Sequence, residues 1–319
     1  MTRYPKSAVE VYVDGFSSKN IALKINAGES MIDPGLKGKV ALITGANHGI
    51  GAATAWAFAA QGTRVFATYF RPSCPCGREE LSKASQAGIG GPLLYWAEQQ
   101  RTADRLVQQI LQSGGEAAAA EADLGDSANI GTVFDACETA LGPVDILVNN
   151  HTHCAKDTFD PAAVKAEGFA VDLFSPAVAD EHFAVNARSY ALMMSEYIRR
   201  YLEHGATWGR IINLSTDAAH AHANSISYAA TKHAIESYSR SAALEVGKYG
   251  ITVNIVAPGP IQTGWLTPEQ EELISADTPL RRCGMPEDVA EVIVFLASQQ
   301  AHWLTGQLLY VGGGLRMHQ

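Results

Sequence analysis

The chain is poor in three things, and each shortage excludes a class of protein. Cysteine comes first: 319 residues carry five, Cys74, Cys76, Cys137, Cys154 and Cys283. So few thiols, unevenly spread, point to reduced side chains rather than a disulfide framework. Basic charge is second, since 24 Lys and Arg face 33 Asp and Glu, a formal net charge of -9. That balance gives no electrostatic footprint for nucleic acid or an anionic membrane. Long apolar runs are third, because no window approaches the about 18 consecutive apolar residues of a membrane helix. The first residues, MTRYPKSAVEVYVDGF, lack a charged stretch followed by an apolar one. Neither a membrane span nor a signal peptide is expected, and the default compartment is cytoplasmic. Two tempting metal motifs, His151-x-His153-Cys154 and Cys74-Pro75-Cys76, each fall short of a spaced set of four ligands, so no metal is expected.

What is present is ordinary for a folded domain, with 47% hydrophobic and 18% charged residues. Residues 1–37 form a separate block in which Val9, Val11 and Val13, then Ile21, Leu23 and Ile25, alternate around Asp14-Gly15-Phe16-Ser17-Ser18. The pattern reads as a weak hairpin arm, or as a tail ordered only where it touches a neighbour. From residue 38 the character changes. Short apolar runs at 40–43, 64–68, 117–121, 146–148, 210–214, 252–256 and 307–311 alternate with helix-like stretches, the later ones at 179–203, 228–249 and 286–298. Alternation of this kind predicts an α/β, Rossmann-type doubly wound parallel sheet, one domain over residues 38–319 with an N-terminal extension.

The first run ends in Thr44-Gly45-Ala46-Asn47-His48-Gly49-Ile50-Gly51 and opens directly into a helix. Bare backbone N–H groups and a helix N-terminus meet there, a ready seat for a pyrophosphate. Further along, Tyr228 and Lys232 stand at i and i+4, on one face of a helix. A phenol is a poor acid or base near neutrality, but an adjacent ammonium and a cationic nicotinamide favour its phenolate and lower its pKa, which makes proton exchange with an alcohol or carbonyl oxygen practicable.

The Gly-x3-Gly-x-Gly spacing resembles that of the short-chain dehydrogenase/reductase family, and the resemblance covers about residues 38–315. Further matches follow in the family's order: Asp123, Asn149-Asn150, Asn186, Ser215, the Tyr228/Lys232 pair, and Pro258-Gly259-Pro260-Ile261-Gln262-Thr263. The motifs also resemble those of 3-oxoacyl-carrier-protein reductases, although the wider family shares them. The resemblance implies a hydride transfer between a nicotinamide cofactor and a carbonyl or secondary alcohol. It casts Tyr228 as general acid/base, Lys232 as its activator and ribose ligand, and Asn186 as holder of a relay water. Ser215, which lies 228 − 215 = 13 residues before the tyrosine, is the preferred substrate-orienting hydroxyl, with Thr216 beside it as the alternative.

By the same resemblance the cofactor set comprises Gly45, Asn47, His48, Gly49, Ile50, Gly51, Tyr69, Arg71, Asp123, Leu124, Asn149, Pro258, Gly259, Ile261 and Thr263, together with Tyr228 and Lys232. NAD readers usually end the second strand with an acid for the ribose 2'-hydroxyl. Here that position is Tyr69, followed by Phe70-Arg71. Arg71 is the expected clamp for a 2'-phosphate, with His48 at a place often basic in phosphate readers, so NADP(H) is favoured over NAD(H). An NAD-dependent alcohol or sugar dehydrogenase, or a non-catalytic dinucleotide sensor, are the alternatives. The resemblance also implies a homo-oligomer, a tetramer or dimer built through helices 179–203 and 228–249. The loop after the fourth strand departs from the family, with His151-Thr152 replacing Ala-Gly. Two segments are longer than the fold needs: 72–100, expected at the surface or a subunit contact beside the adenosine end, and 151–179, expected to shape the substrate pocket. Residues 264–285 occupy the substrate-covering position.

Overall fold

In β1 (Val40–Thr44) every side chain is buried, yet successive ones serve different cores: Ala41 and Ile43 pack on one face of the sheet, Val40 and Leu42 on the other. A strand clothed on both faces needs helices above and below, and the topology supplies them. A computed structural model describes residues 33–165 and 170–316 of the chain. The expected arm lies outside the described residues, apart from its last few.

The main sheet also contains β2 (Arg64–Tyr69), β3 (Ala117–Glu121), β4 (Ile146–Asn149), β7 (Gly209–Leu214), β8 (Ile251–Pro258) and β9 (Leu308–Val311). Its seven strands run in the order β3-β2-β1-β4-β7-β8-β9, and all the pairings are parallel. A small parallel pair, β5 (Lys156–Thr158) and β6 (Val171–Leu173), stands apart. One core layer joins the sheet to α1 (Gly49–Ala60), α4 (Asp104–Gln112) and α10 (Pro286–Ala297), with Phe58, Ile110 and Ile293 fully buried. The opposite layer joins it to α5 (Asn129–Leu141), α7 (Ser189–Glu203) and α8 (Ile226–Val246), through Phe134, Met193 and Val246. This is a doubly wound Rossmann-type single domain. Its strand order reverses between β1 and β4, where such sheets open a ligand crevice at the strands' carboxyl ends.

The expected helix over 179–203 is longer and less regular. It starts as α6 (Pro176–His182), where Ser175 caps the Val178 N–H at 3.4 Å, widens into a π-helical segment over Phe183–Arg188, and continues as α7. Such bulges recur at functional sites because the extra residue re-aims a side chain. Asn186 lies within this segment. The long segment after β2 folds into α2 (Arg78–Ala87) and α3 (Pro92–Gln99), and the substrate-covering position holds α9 (Pro268–Asp277). Among the described residues, no helix is long and apolar enough to cross a membrane.

Candidate active site

The glycine turn follows β1 in strained backbone that only glycine takes readily: Gly45 and Gly49 have φ of 62° and 54°. A Cβ on Gly51 would stand 2.1 Å from the Gly45 carbonyl oxygen, so the turn closes only because that atom is absent. Asn150 holds it from below, its amide donating to the carbonyls of Thr44 and Gly45 at 3.0 and 2.9 Å. His48, at the N-cap of α1, makes no side-chain bond to the helix, so the first N–H groups are left to a ligand. A Cβ on Gly49 would meet the Thr263 methyl at 3.0 Å, which makes the turn and the segment after β8 two walls of one cleft. Uncapped N–H groups, a glycine turn and a switch point fit a dinucleotide pyrophosphate.

Across the cleft, α8 carries Tyr228 and Lys232. Asp157 in β5 fixes its first turn, accepting from the Ser227 N–H at 3.0 Å and from the Ser227 hydroxyl. The tyrosine hydroxyl pairs with Thr216, while burial lifts the phenol's pKa. The Lys232 ammonium lies 5.7 Å from the Tyr228 ring centre and donates to the Leu214 carbonyl at 2.8 Å. Burial lowers its pKa to about 7. Removal from water is the largest influence on this phenol, and Lys232 is itself held to a backbone carbonyl. A phenol kept protonated is a proton donor.

Several expected site residues have partners within the fold. Ser215 is buried and turned back into α8, donating to Glu236 at 2.9 Å. The hydroxyl that faces Tyr228 belongs to Thr216, as strand-end alignment favours and tyrosine spacing does not. Asn186 has its side chain fully engaged, donating to the His153 carbonyl and Thr231 and accepting from His153 N–H and Thr152. These bonds lock the loop after β4. Asn149 ends β4, is buried and donates to Asn213 on the neighbouring strand at 2.9 Å. His151, bulky where a small residue is usual, points inward, with its two ring nitrogens against Thr44 and Ser189 at 2.7 and 2.6 Å. Burial, aided by the Lys232 charge, lowers its pKa to about 3.

The adenosine end also differs from expectation. His48 is no cation: burial and Arg101 lower its pKa to about 4. Tyr69 is buried, and Arg71 is in a bidentate ion pair with Glu121 of β3, at 2.6 to 3.1 Å. Asp123 accepts from the Gly125 N–H in a turn after β3, and Leu124 is buried. On the far wall Pro258 ends β8, Gly259 packs on Gly312, and Ile261 is buried with its carbonyl taken by the Trp265 indole at 3.0 Å. Asn47 donates to the carbonyls of Gln99 and Arg101 at 3.2 and 2.9 Å. The segment 72–100 thus reaches the glycine turn. It goes on to touch the substrate cover, since the Gly91 N–H donates to the Gly264 carbonyl at 2.9 Å. Thr216 is the alternative that the sequence offered, whereas Asp157 and the turn-holding role of Asn150 were missed, although Asn150 sits within a motif.

Comparison with known proteins agrees with this geometry. Residues 83–316 match the family profile described as Enoyl-(Acyl carrier protein) reductase. The chain is 33% identical over 279 residues to the uncharacterized oxidoreductase YjdA of Bacillus subtilis, covering 86% of this chain and 96% of that one. It is 32% identical over 285 residues to NADPH-dependent aldehyde reductase 1, chloroplastic, of Arabidopsis thaliana, covering 88% and 86%. A crystal structure of a dehydrogenase/reductase from Sinorhizobium meliloti 1021 superposes with a TM-score of 0.70 at 28% identity, covering 89% of this chain and 98% of that one. With a nicotinamide-dinucleotide crevice on a doubly wound sheet and relatives named as oxidoreductases, the protein is an enzyme acting on a CH–OH or carbonyl group. The chain belongs to the short-chain dehydrogenase/reductase family.

Proposed function

We propose that the protein is an NADP(H)-dependent reductase of a carbonyl compound, with Tyr228 as the proton donor. The observation that carries this reading is the protonated Tyr228 phenol paired with the Thr216 hydroxyl and backed by the Lys232 ammonium. A bound nicotinamide supplies the hydride that the carbonyl carbon accepts. Thr216 and Tyr228 hold the carbonyl oxygen between two O–H donors, and the phenol gives up its proton as negative charge grows there. Lys232 stabilises the resulting phenolate, and it does so only while charged. Its pKa of about 7 means that kcat/KM for reduction falls as pH rises through neutrality.

NADP(H) is supported by the absence of a carboxylate at the end of β2 and by Arg71 two residues beyond it. A 2'-phosphate would draw Arg71 from Glu121, an exchange between two exposed partners that costs little. The related plant enzyme is named for NADPH and aldehyde reduction. Exposed Phe183 and Leu192 on the π segment and α7, and Tyr238 and Leu244 on α8, support a homo-oligomer formed through these helices. A cytoplasmic setting accords with five free thiols.

Tyr228→Phe tests the reading. It removes the donor oxygen while keeping the ring, and turnover falls by at least about a thousandfold, beyond a typical general-acid contribution because the orienting bond goes too. Dinucleotide affinity, followed by NADPH fluorescence, stays within about twofold. Turnover surviving that substitution overturns the assignment.

A further inference from the structure

The segment between β2 and α4 forms a roof with two feet and a tip. The feet stand together at the adenosine end. There the Gln100 side chain donates to the Pro72 carbonyl at 2.8 Å, which ties one foot to the other. Arg71 pairs with Glu121 below the first foot, and Asn47 of the glycine turn holds the carbonyls of Gln99 and Arg101 in the second. Between the feet, α2 and α3 pack on each other. The tip that joins them reaches the substrate cover. The Gly91 N–H donates to the Gly264 carbonyl at 2.9 Å, and a Cβ on Gly90 would lie 1.9 Å from the Leu266 carbonyl oxygen. Tip and cover therefore meet through main chain alone.

The two partners in this contact are built with unequal firmness. The receiving loop of the cover is pinned from within: Gln262 donates to the Leu266 carbonyl at 3.1 Å and to Glu271 at 2.8 Å, and accepts from the Gly264 N–H at 3.1 Å. On the roof, α2 buries no residue and α3 buries only Ala97. A segment so thinly buried lifts at small cost, whereas a loop with its own bonds keeps its shape. One N–H···O bond between them breaks and reforms readily. Under the roof lies a cavity of about 510 Å³, bordered by Gly49, Leu94, Glu98, Thr263 and Leu266. Gly49 and Thr263 belong to the two walls that fit the pyrophosphate, and the roof closes a third side. Glu98 faces that space with its charge offset by Arg101 at 2.7 Å.

We propose that the roof is a clasp for the dinucleotide, hinged at its feet, latched to the cover through Gly90 and Gly91, and lifted whenever the dinucleotide enters or leaves. The inference rests on the dinucleotide reading above and adds control of exchange to it. The latch joins protein to protein and gives the dinucleotide no bond of its own. Losing it speeds entry and exit together and moves the dissociation constant little, because a contact that does not favour the loaded state cannot shift the binding equilibrium.

NADPH and, in parallel, NADH are the probes, each followed by its own fluorescence in stopped flow. Gly90→Ala drives the tip off the Leu266 carbonyl. Its association and dissociation rate constants for NADPH both rise about tenfold, in keeping with one lost hydrogen bond and its contact, while Kd stays within about threefold. Replacing residues 77–91 with a Gly/Ser linker removes the tip altogether and gives the same paired rise. Unchanged rates in both variants overturn the proposal. So does a faster dissociation matched by an equally weakened Kd, which would make the roof a binding wall and no gate. Loss of all binding, or collapse of the fold, in both variants overturns it too, since a clasp that lifts carries neither the seat nor the fold. If the unaltered protein binds neither NADPH nor NADH, the dinucleotide reading itself is refuted.

Discussion

The two segments that lengthen this chain beyond a minimal Rossmann sheet attach to the site in opposite ways. The one after β4 supports it from within the fold: Asp157 is fully buried and fixes the first turn of α8, while His151 is wedged between Thr44 and Ser189 under the glycine turn. The one after β2 lies on top, and α2 buries no residue at all. Its links to the turn and the cover run largely through backbone carbonyls and N–H groups. A buried polar support has no water to replace a lost partner, whereas a roof exposed on its outer side has. The first kind of segment sets where the reacting groups stand, and the second sets what can reach them.

The contrast predicts where damage is greatest. Asp157→Ala leaves the Ser227 N–H buried and unpaired, and unfolding in denaturant should show a loss of about 3 kcal/mol together with a fall in kcat. If stability stays within about 0.5 kcal/mol, Asp157 is no support for α8.

Acid is the next largest probe of the same support. His151 has a folded pKa near 3 against an ordinary 6.5, so the unfolded chain takes up a proton that the folded chain refuses. Its contribution is complete above pH 6.5 and is lost as pH falls, about 2 kcal/mol by pH 5. His48, lowered to about 4, adds in the same direction. A stability curve that is flat from pH 7 to 5 would contradict the buried, neutral state of both rings.

Replacing residues 77–91 with a short Gly/Ser linker tests the roof. Stability should change by less than about 1 kcal/mol, because this stretch buries so little, while KM for the carbonyl substrate rises. A collapse of the fold would make the roof a second support and erase the contrast.

The smallest effect lies at the roof's foot. Glu121→Gln frees Arg71, and the ratio of kcat/KM for NADPH over NADH should rise about threefold, in keeping with a surface ion pair. A ratio that falls would mean that Glu121 helps the phosphate reader.

Much of this architecture is legible in the residues themselves. The continuous apolar run of β1 and the strand–turn–helix at Gly45–Gly51 are local, so side-chain pattern and glycine spacing reveal them, as does the one-face placement of Tyr228 and Lys232. The choice between Ser215 and Thr216 is not local. One residue along a strand end reverses the direction of a hydroxyl, and only Glu236, 21 residues further on, takes Ser215 away from the cleft. His48 and Arg71 look like cations in sequence, yet burial neutralises the first and Glu121, 50 residues distant, pairs with the second. The π-helical segment that carries Asn186 leaves no mark in an apolar periodicity.

By itself the sequence determined the family and the sheet, and it supplied the proposed seats of the dinucleotide and the proton donor, because each follows from spacings within a few turns of chain. Tertiary structure alone decided which hydroxyl faces Tyr228, which side chains are charged, and that α3 roofs the cleft. Those outcomes depend on burial and on partners brought together from distant strands, and no local pattern encodes either.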